Sequence, residues 1–179
     1  MGKVHSSPSS KDPFSQLLQW SELTVSQLIF DSDTDGEDQD RFLQCILKKE
    51  NIYVIVIDEF DTVFGIYLHY PLISPFKYPR DPQHFIFSTK KKTKQEFIRF
   101  LPKQTSLNKS LKGVNNNKDC LFLCGEDSIC IWNSRFRKSY IWEPMKVYEM
   151  KENKEINGTE YPTLHNLFSI QRIIVIQMK

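Results

Sequence analysis

The sequence predicts an α+β fold in which antiparallel strands dominate and a few helices flank them, either as an antiparallel α+β domain or as a β-sandwich with flanking helices. Two observations carry that reading. Short runs rich in β-branched and aromatic residues recur along the chain, separated by turn-forming residues, and only two or three stretches have helical spacing. No internal repeat is present. The chain has 179 residues, 40% of them hydrophobic and 13% aromatic, with 24 Lys+Arg against 22 Asp+Glu. That is enough for one core in one domain, residues 12–179, behind a flexible polar tail over residues 1–11. The balance of charge and hydrophobicity excludes a largely disordered chain. No apolar run approaches the roughly 20 residues that span a bilayer as a helix.

Asp12-Pro13 reads as an N-cap followed by proline at the first helical position, opening a short helix through Leu17, Leu18 and Trp20. An apolar stretch, Leu23–Phe30, leads into an acidic turn, Asp31–Asp40. From Asp38 to about Lys49 the apolar positions Phe42, Cys45 and Ile46 recur at helical spacing, with lysines at the C-terminal end, where the helix dipole favours cations. The period then changes. Ile52–Ile57 is a β-branched run, Asp58–Asp61 a turn and Thr62–Leu68 a second strand. Pro71, Pro75, Pro79 and Pro82 make the next stretch a rigid loop that cannot sit inside a sheet. Further strands are expected at Phe85–Ser88, Phe97–Leu101, Cys120–Cys124, Ser128–Trp132, Lys146–Met150 and Ile170–Met178.

The scattered glycines form neither a P-loop nor a dinucleotide-binding fingerprint. Cys45, Cys120, Cys124 and Cys130 contain no C-x2-C pair, so they read as buried free thiols rather than as a disulfide scaffold or a zinc site. A strand over Cys120–Cys124 would put its two cysteines on one face, and a metal there would have to recruit His69, His84 or His165. Asp31, Asp33 and Asp35, followed by Gly36, copy the first half of an EF-hand loop, but Phe42 stands where the bidentate glutamate belongs. A solvated turn at a helix N-terminus accounts for the same residues. No cofactor or metal is expected.

Two basic segments stand out. Eight Lys/Arg lie between Lys90 and Lys112, beginning Lys90, Lys91, Lys92 and Lys94, and Arg135, Arg137 and Lys138 alternate with aromatics from Trp132 to Trp142. Such a pattern could track a nucleic-acid backbone and stack bases, or form a solvated loop beside amphipathic strands. The polar start contains no apolar signal core, so a cytoplasmic location is expected. Gly2 lies in a myristoylation pattern, M-G-x-x-x-[ST], and a single acyl chain would need a basic patch to hold a membrane. No local hydrolase or metalloprotease motif is present, which leaves a nonlocal triad or a reactive Cys45 as the enzymatic alternatives.

The order of features resembles a TLDc domain, the family that includes the oxidation-resistance proteins. Asp35-Gly36, Phe42 and Cys45, then Val63-Phe64-Gly65, are similar to its opening. Asp81-Pro82-Gln83-His84-Phe85-Ile86-Phe87-Ser88 looks like its "daFlFsl" segment. Gly125 with Asp127-Ser128-Ile129 is similar to its glycine and following strand, and Phe168 to Ile176, including Val175, to its terminal strand. Two positions depart: Ile66 replaces the second glycine after Phe64, and Ile174 replaces the acidic residue of the last strand. The resemblance implies an antiparallel β-sandwich with helices around it and no agreed reaction. It also implies protection against oxidative stress and, for several members, binding to subunits of the vacuolar proton ATPase. Phe42, Phe64, Phe85, Phe87, Ile173 and Val175 would then be core.

Overall fold

The computed structural model describes residues 13–90, 93–133, 138–151, 156 and 166–179. Two antiparallel sheets dominate it. Helix α1 (Pro13–Ser21) precedes strand β1 (Val25–Asp31), a short helix α2 (Ser32–Asp35) and helix α3 (Gln39–Ile46). Strands β2 (Ile52–Asp58), β3 (Val63–Leu68), β4 (Phe85–Lys90) and β5 (Thr93–Phe100) follow, then β6 (Leu111–Lys112), β7 (Cys120–Cys124), β8 (Ile129–Trp132), β9 (Ser139–Ile141), β10 (Asn166–Phe168) and β11 (Ile170–Met178). The larger sheet has the order β1-β11-β2-β3-β4-β5 and the smaller one β10-β9-β8-β7-β6.

Both sheets feed one main core. Val54, Val56, Phe64, Ile66, Ile86, Ile173 and Val175 of the larger sheet share it with Leu121, Phe122, Ile129, Ile131 and Ile141 of the smaller. Helix α3 closes this core: Phe42 stacks on Phe122 at 5.2 Å and meets Phe30 edge-on at 5.3 Å. The other face of the larger sheet carries Tyr53, Ile55, Tyr67, Phe85, Phe87 and Phe97 beneath α1, which contributes Leu17. Tyr53 donates its hydroxyl proton to the Leu17 carbonyl at 2.7 Å, so this aromatic layer keeps its polar tip satisfied. Gln16 of α1 bonds both the N–H and the C=O of Phe97 (2.9 and 2.8 Å), blunting the outer edge of β5. All six expected core residues are buried, with Phe85 and Phe87 in the layer beneath α1.

Some expected elements differ. Lys146–Met150 is not a strand: Pro144–Lys146 forms a 3-10 turn, and Tyr148 makes only an isolated bridge with Pro102. Pro144, lacking an N–H, starts that turn, and its carbonyl accepts from both Val147 and Tyr148. Helix α3 stops at Ile46, because Leu47 turns extended and pairs with Leu72. The lysines expected in its last turn therefore lie beyond it. Cys120 and Cys124 face opposite ways. A bulge between Cys120 and Phe122 breaks the alternation, leaving Cys124 in the main core and Cys120 beside Cys130 on the outer face of the smaller sheet.

Candidate functional site

The acidic turn is closed by its own arginines. Arg172 binds Asp31 through two hydrogen bonds (3.0 and 2.5 Å) and reaches Asp33 at 3.1 Å. Arg41 binds Asp35 at 2.7 Å, and Lys118 pairs with Asp40. The Arg172 guanidinium holds the Asp31 carboxyl below its ordinary pKa, and Arg41 does the same for Asp35. Asp31 also caps α2, accepting from the Asp33 N–H, and Gly36 ends that helix at φ 77°. The turn is thus a capped, ion-paired helix start. Among the described residues no group of His, Cys, Asp or Glu side chains is placed to hold a metal ion.

The described cations of the two basic segments are dispersed as well. Arg99 lies 5.7 Å from the ring centroids of Trp20 and Phe85. Lys103 donates to the Met145 carbonyl, Lys109 pairs with Glu126, and Lys112 sits 3.8 Å from Asp127 and 4.5 Å from the Tyr78 ring. Lys138 pairs with Glu59 at 3.0 Å. These cations are engaged internally rather than aligned along one groove. Gly2, Lys91, Lys92, Arg135 and Arg137, and the side chains of Lys90 and Lys94, lie outside the described residues.

Three of the four cysteines are buried and Cys45 is half-buried. Burial pushes the Cys45 thiol up, and pushes Cys124, which lies 3.3 Å from the Tyr148 hydroxyl, to about 12. The Cys120 contact at 3.4 Å, followed by burial, raises Cys130. Such thiols hold their protons at neutral pH and make poor nucleophiles.

The most firmly braced irregular segment is the loop between β3 and β4. Asp81 is fully buried, and its carboxylate accepts N–H bonds from His69 (2.7 Å), Tyr70 (3.0 Å) and Gln83 (3.0 Å). Its own N–H donates to the Leu107 carbonyl at 2.8 Å. Gly113 donates to the Pro75 carbonyl, Lys48 donates to that of Leu72, and Leu72 bridges to Leu47. Tyr78 donates to the Asp127 carboxylate at 2.8 Å and accepts the Asp127 N–H at 3.1 Å. Burial, then that carboxylate, raises the Tyr78 phenol, so it stays a donor. The loop is pinned at both ends and in its middle, with prolines limiting what remains.

This frame presents a groove of about 330 Å³, lined by Tyr70, Pro71, Ile73, Lys77, Tyr78 and Arg80 among others. Tyr70, Ile73 and the neighbouring Phe76 are 42, 67 and 41% exposed. Sequence reasoning read this stretch only as a rigid loop. The available signal was the aromatics and cations threaded between its prolines.

His84 ends the loop. Its Nδ1 bonds the Asp81 carbonyl, its ring meets Tyr148 edge-on at 5.7 Å, and its Nε2 is buried with no hydrogen-bond partner among the described residues. Burial lowers its pKa from the ordinary value, because the imidazolium would be poorly solvated there. The unfolded chain therefore binds a proton that the folded chain refuses. This contribution to stability is complete above the unfolded pKa, about 6.5, and is lost as pH falls from there through the depressed folded value. Urea unfolding should show a lower midpoint at about pH 5.5 than at about pH 7.5, a range above the titration of the ion-paired carboxylates. His84→Phe should flatten that dependence; an equal slope in the variant would remove His84 as its source.

The sequence motifs now have places. Gly36 caps α2, Phe42 plugs the core, and Cys45 packs against it from α3. Phe64 and Gly65 lie in β3, Phe85 and Phe87 in β4, and Val175 in β11. Gly125 (φ 62°) precedes Asp127, the anchor of Tyr78. The TLDc-domain family model matches residues 7–173. The chain belongs to the TLDc family. No curated protein matches it. Its two departures suit this TLDc fold: Ile66 is buried in the main core, and Ile174 packs against the aromatic layer beneath α1, where a carboxylate would lose its water. No helix among the described residues is long and apolar enough to cross a membrane.

Proposed function

We propose that this TLDc domain acts without catalysis of its own, by holding a protein partner, in the oxidative-stress response, in regulation of the vacuolar proton ATPase, or in both. The observation that supports this reading is the pinned proline loop, which exposes Tyr70, Ile73 and Phe76 around a groove. Apolar side chains held outward on a braced frame are what recognition needs, because little ordering entropy remains to be lost on binding. The raised pKa values of Cys45, Cys124 and Cys130 fit a domain that does not use thiol chemistry. A cytoplasmic setting is part of this proposal.

Affinity purification of the intact chain from its own cells tests this. Proton-pump subunits should be recovered with the native sequence and lost with Ile73→Asp, and cells lacking the protein should tolerate peroxide less well. Recovery of no pump subunit, together with normal peroxide tolerance, would count against the reading.

A further inference from the structure

We infer that the proline-loop groove takes a partner segment in which an apolar side chain is flanked by carboxylates. This rests on the protein-binding reading above and specifies the chemistry of its partner.

The groove lining carries two cations, Lys77 and Arg80, and no acid. The side chains of both make no hydrogen bond or ion pair among the described residues. The contrast is local. Lys109 and Lys112, on the elements against which this loop is stitched, are paired with Glu126 and Asp127. Asp127, which reaches the groove through Tyr78, is already held by that hydroxyl and by Lys112. Asp81, next to Arg80, is fully buried, with its carboxylate turned to the backbone N–H groups of His69, Tyr70 and Gln83. Two uncompensated positive charges therefore flank an apolar concavity.

Each part of the site selects something. Ile73 is the most exposed large hydrophobic side chain described, and with Tyr70 and Pro71 it offers an apolar wall that a leucine- or phenylalanine-sized group would dehydrate. Dehydration of that wall strengthens the attraction of Lys77 and Arg80 for an anion beside it, since Coulomb energy rises as the local dielectric falls. Arg80 can take a carboxylate through two parallel hydrogen bonds, and Asp81 next to it fixes the backbone from which it projects. A nucleic-acid strand would satisfy the cations but leave Ile73 without a matching group. A lipid surface would satisfy both, but it is flat, whereas the apolar residues here line a concavity. An acidic peptide with an apolar anchor satisfies the charge, the wall and the shape together.

A display library of short random peptides, panned on the full chain, is the test, followed by fluorescence anisotropy with the enriched peptides. Phosphatidylserine vesicles serve as a parallel probe. The expected peptides carry an aliphatic or aromatic residue between Asp or Glu residues. Their affinity should fall at least about tenfold in Lys77→Glu/Arg80→Glu and in Ile73→Ser, both on exposed side chains and both checked for unchanged thermal unfolding. Peptides with lysine in place of their acids should regain binding to the charge-reversed variant. Enriched peptides that need Ile73 but carry no acids and ignore the charge reversal would overturn this inference while leaving the protein-binding reading in place. No enrichment sensitive to Ile73→Ser would overturn both. Vesicle binding lost on charge reversal, without peptide enrichment, would assign the surface to lipid instead.

Discussion

Asp81→Ala should cost the domain about 3–4 kcal/mol and lower its melting temperature by about 10 °C. The carboxylate accepts three backbone N–H bonds from a site with no exposure to water. Alanine removes all three acceptor contacts at once. His69, Tyr70 and Gln83 are then left with N–H groups that must either stay unpaired or drag the loop apart to find water. Loss of a charged acceptor costs more than loss of a neutral one, but the three bonds share one carboxylate and their losses do not add. Asp81→Asn is the informative control. Its amide oxygen can replace one carboxylate oxygen while its NH2 faces N–H groups, so roughly half the loss should return. Both substitutions should also abolish groove binding, because Tyr70 and Arg80 flank the anchoring contacts. Differential scanning calorimetry of the three proteins measures this; an Asp81→Ala melt within about a degree of the native one would mean that the loop is not held by this carboxylate.

That loop also marks where the sequence stops being readable. Strands β2, β3 and β11 announce themselves, since Ile52–Val56 is buried throughout and Ile170–Met178 carries β-branched residues on both faces. Strands β6, β9 and β10, of two or three residues, are too short to show any period. Val147 and Tyr148 mimic a strand because they are buried, yet they are buried by core packing after a proline turn. The family motifs located the core correctly, because a phenylalanine in a strand has few other places to go. The charge runs are only partly legible for a different reason. Sequence shows Lys109 and Lys112 as part of a basic run but not Glu126 and Asp127 folded against them. Nor does it show Arg172 returning across the whole chain to Asp31. The groove escaped notice for the converse reason, since two unremarked cations, Lys77 and Arg80, matter only because their neighbours are neutralised.

Gly65→Ala should be among the most damaging single-methyl additions, costing roughly 3 kcal/mol or more. Gly65 sits mid-strand in β3, opposite Ile55 of β2 and Phe87 of β4. A methyl group there would collide with the Val54 carbonyl oxygen and lie 2.9 Å from Cζ of Phe87 and 3.0 Å from the Val54 carbonyl carbon. Neither side can give way easily. Val54 belongs to β2, which is held between β11 and β3, so moving its carbonyl breaks sheet hydrogen bonds on both flanks. Phe87 is fully buried, with Tyr53 at 5.7 Å and Phe97 at 5.6 Å. Shortening Phe87 to leucine in the same chain should recover less than half of the loss, because the clash with the Val54 carbonyl remains. Gly36 makes the useful comparison, as the other glycine of the family's opening motif. A methyl there meets nothing within 4 Å, but φ is 77° with ψ −173°, a region that essentially only glycine occupies, so Gly36→Ala should cost only that backbone strain, about 1–3 kcal/mol. Urea unfolding of the two alanine variants separates the roles. A Gly65→Ala midpoint at or above that of Gly36→Ala would show that β2 and β3 can part without penalty, and that the glycine after Phe64 is not there for close packing.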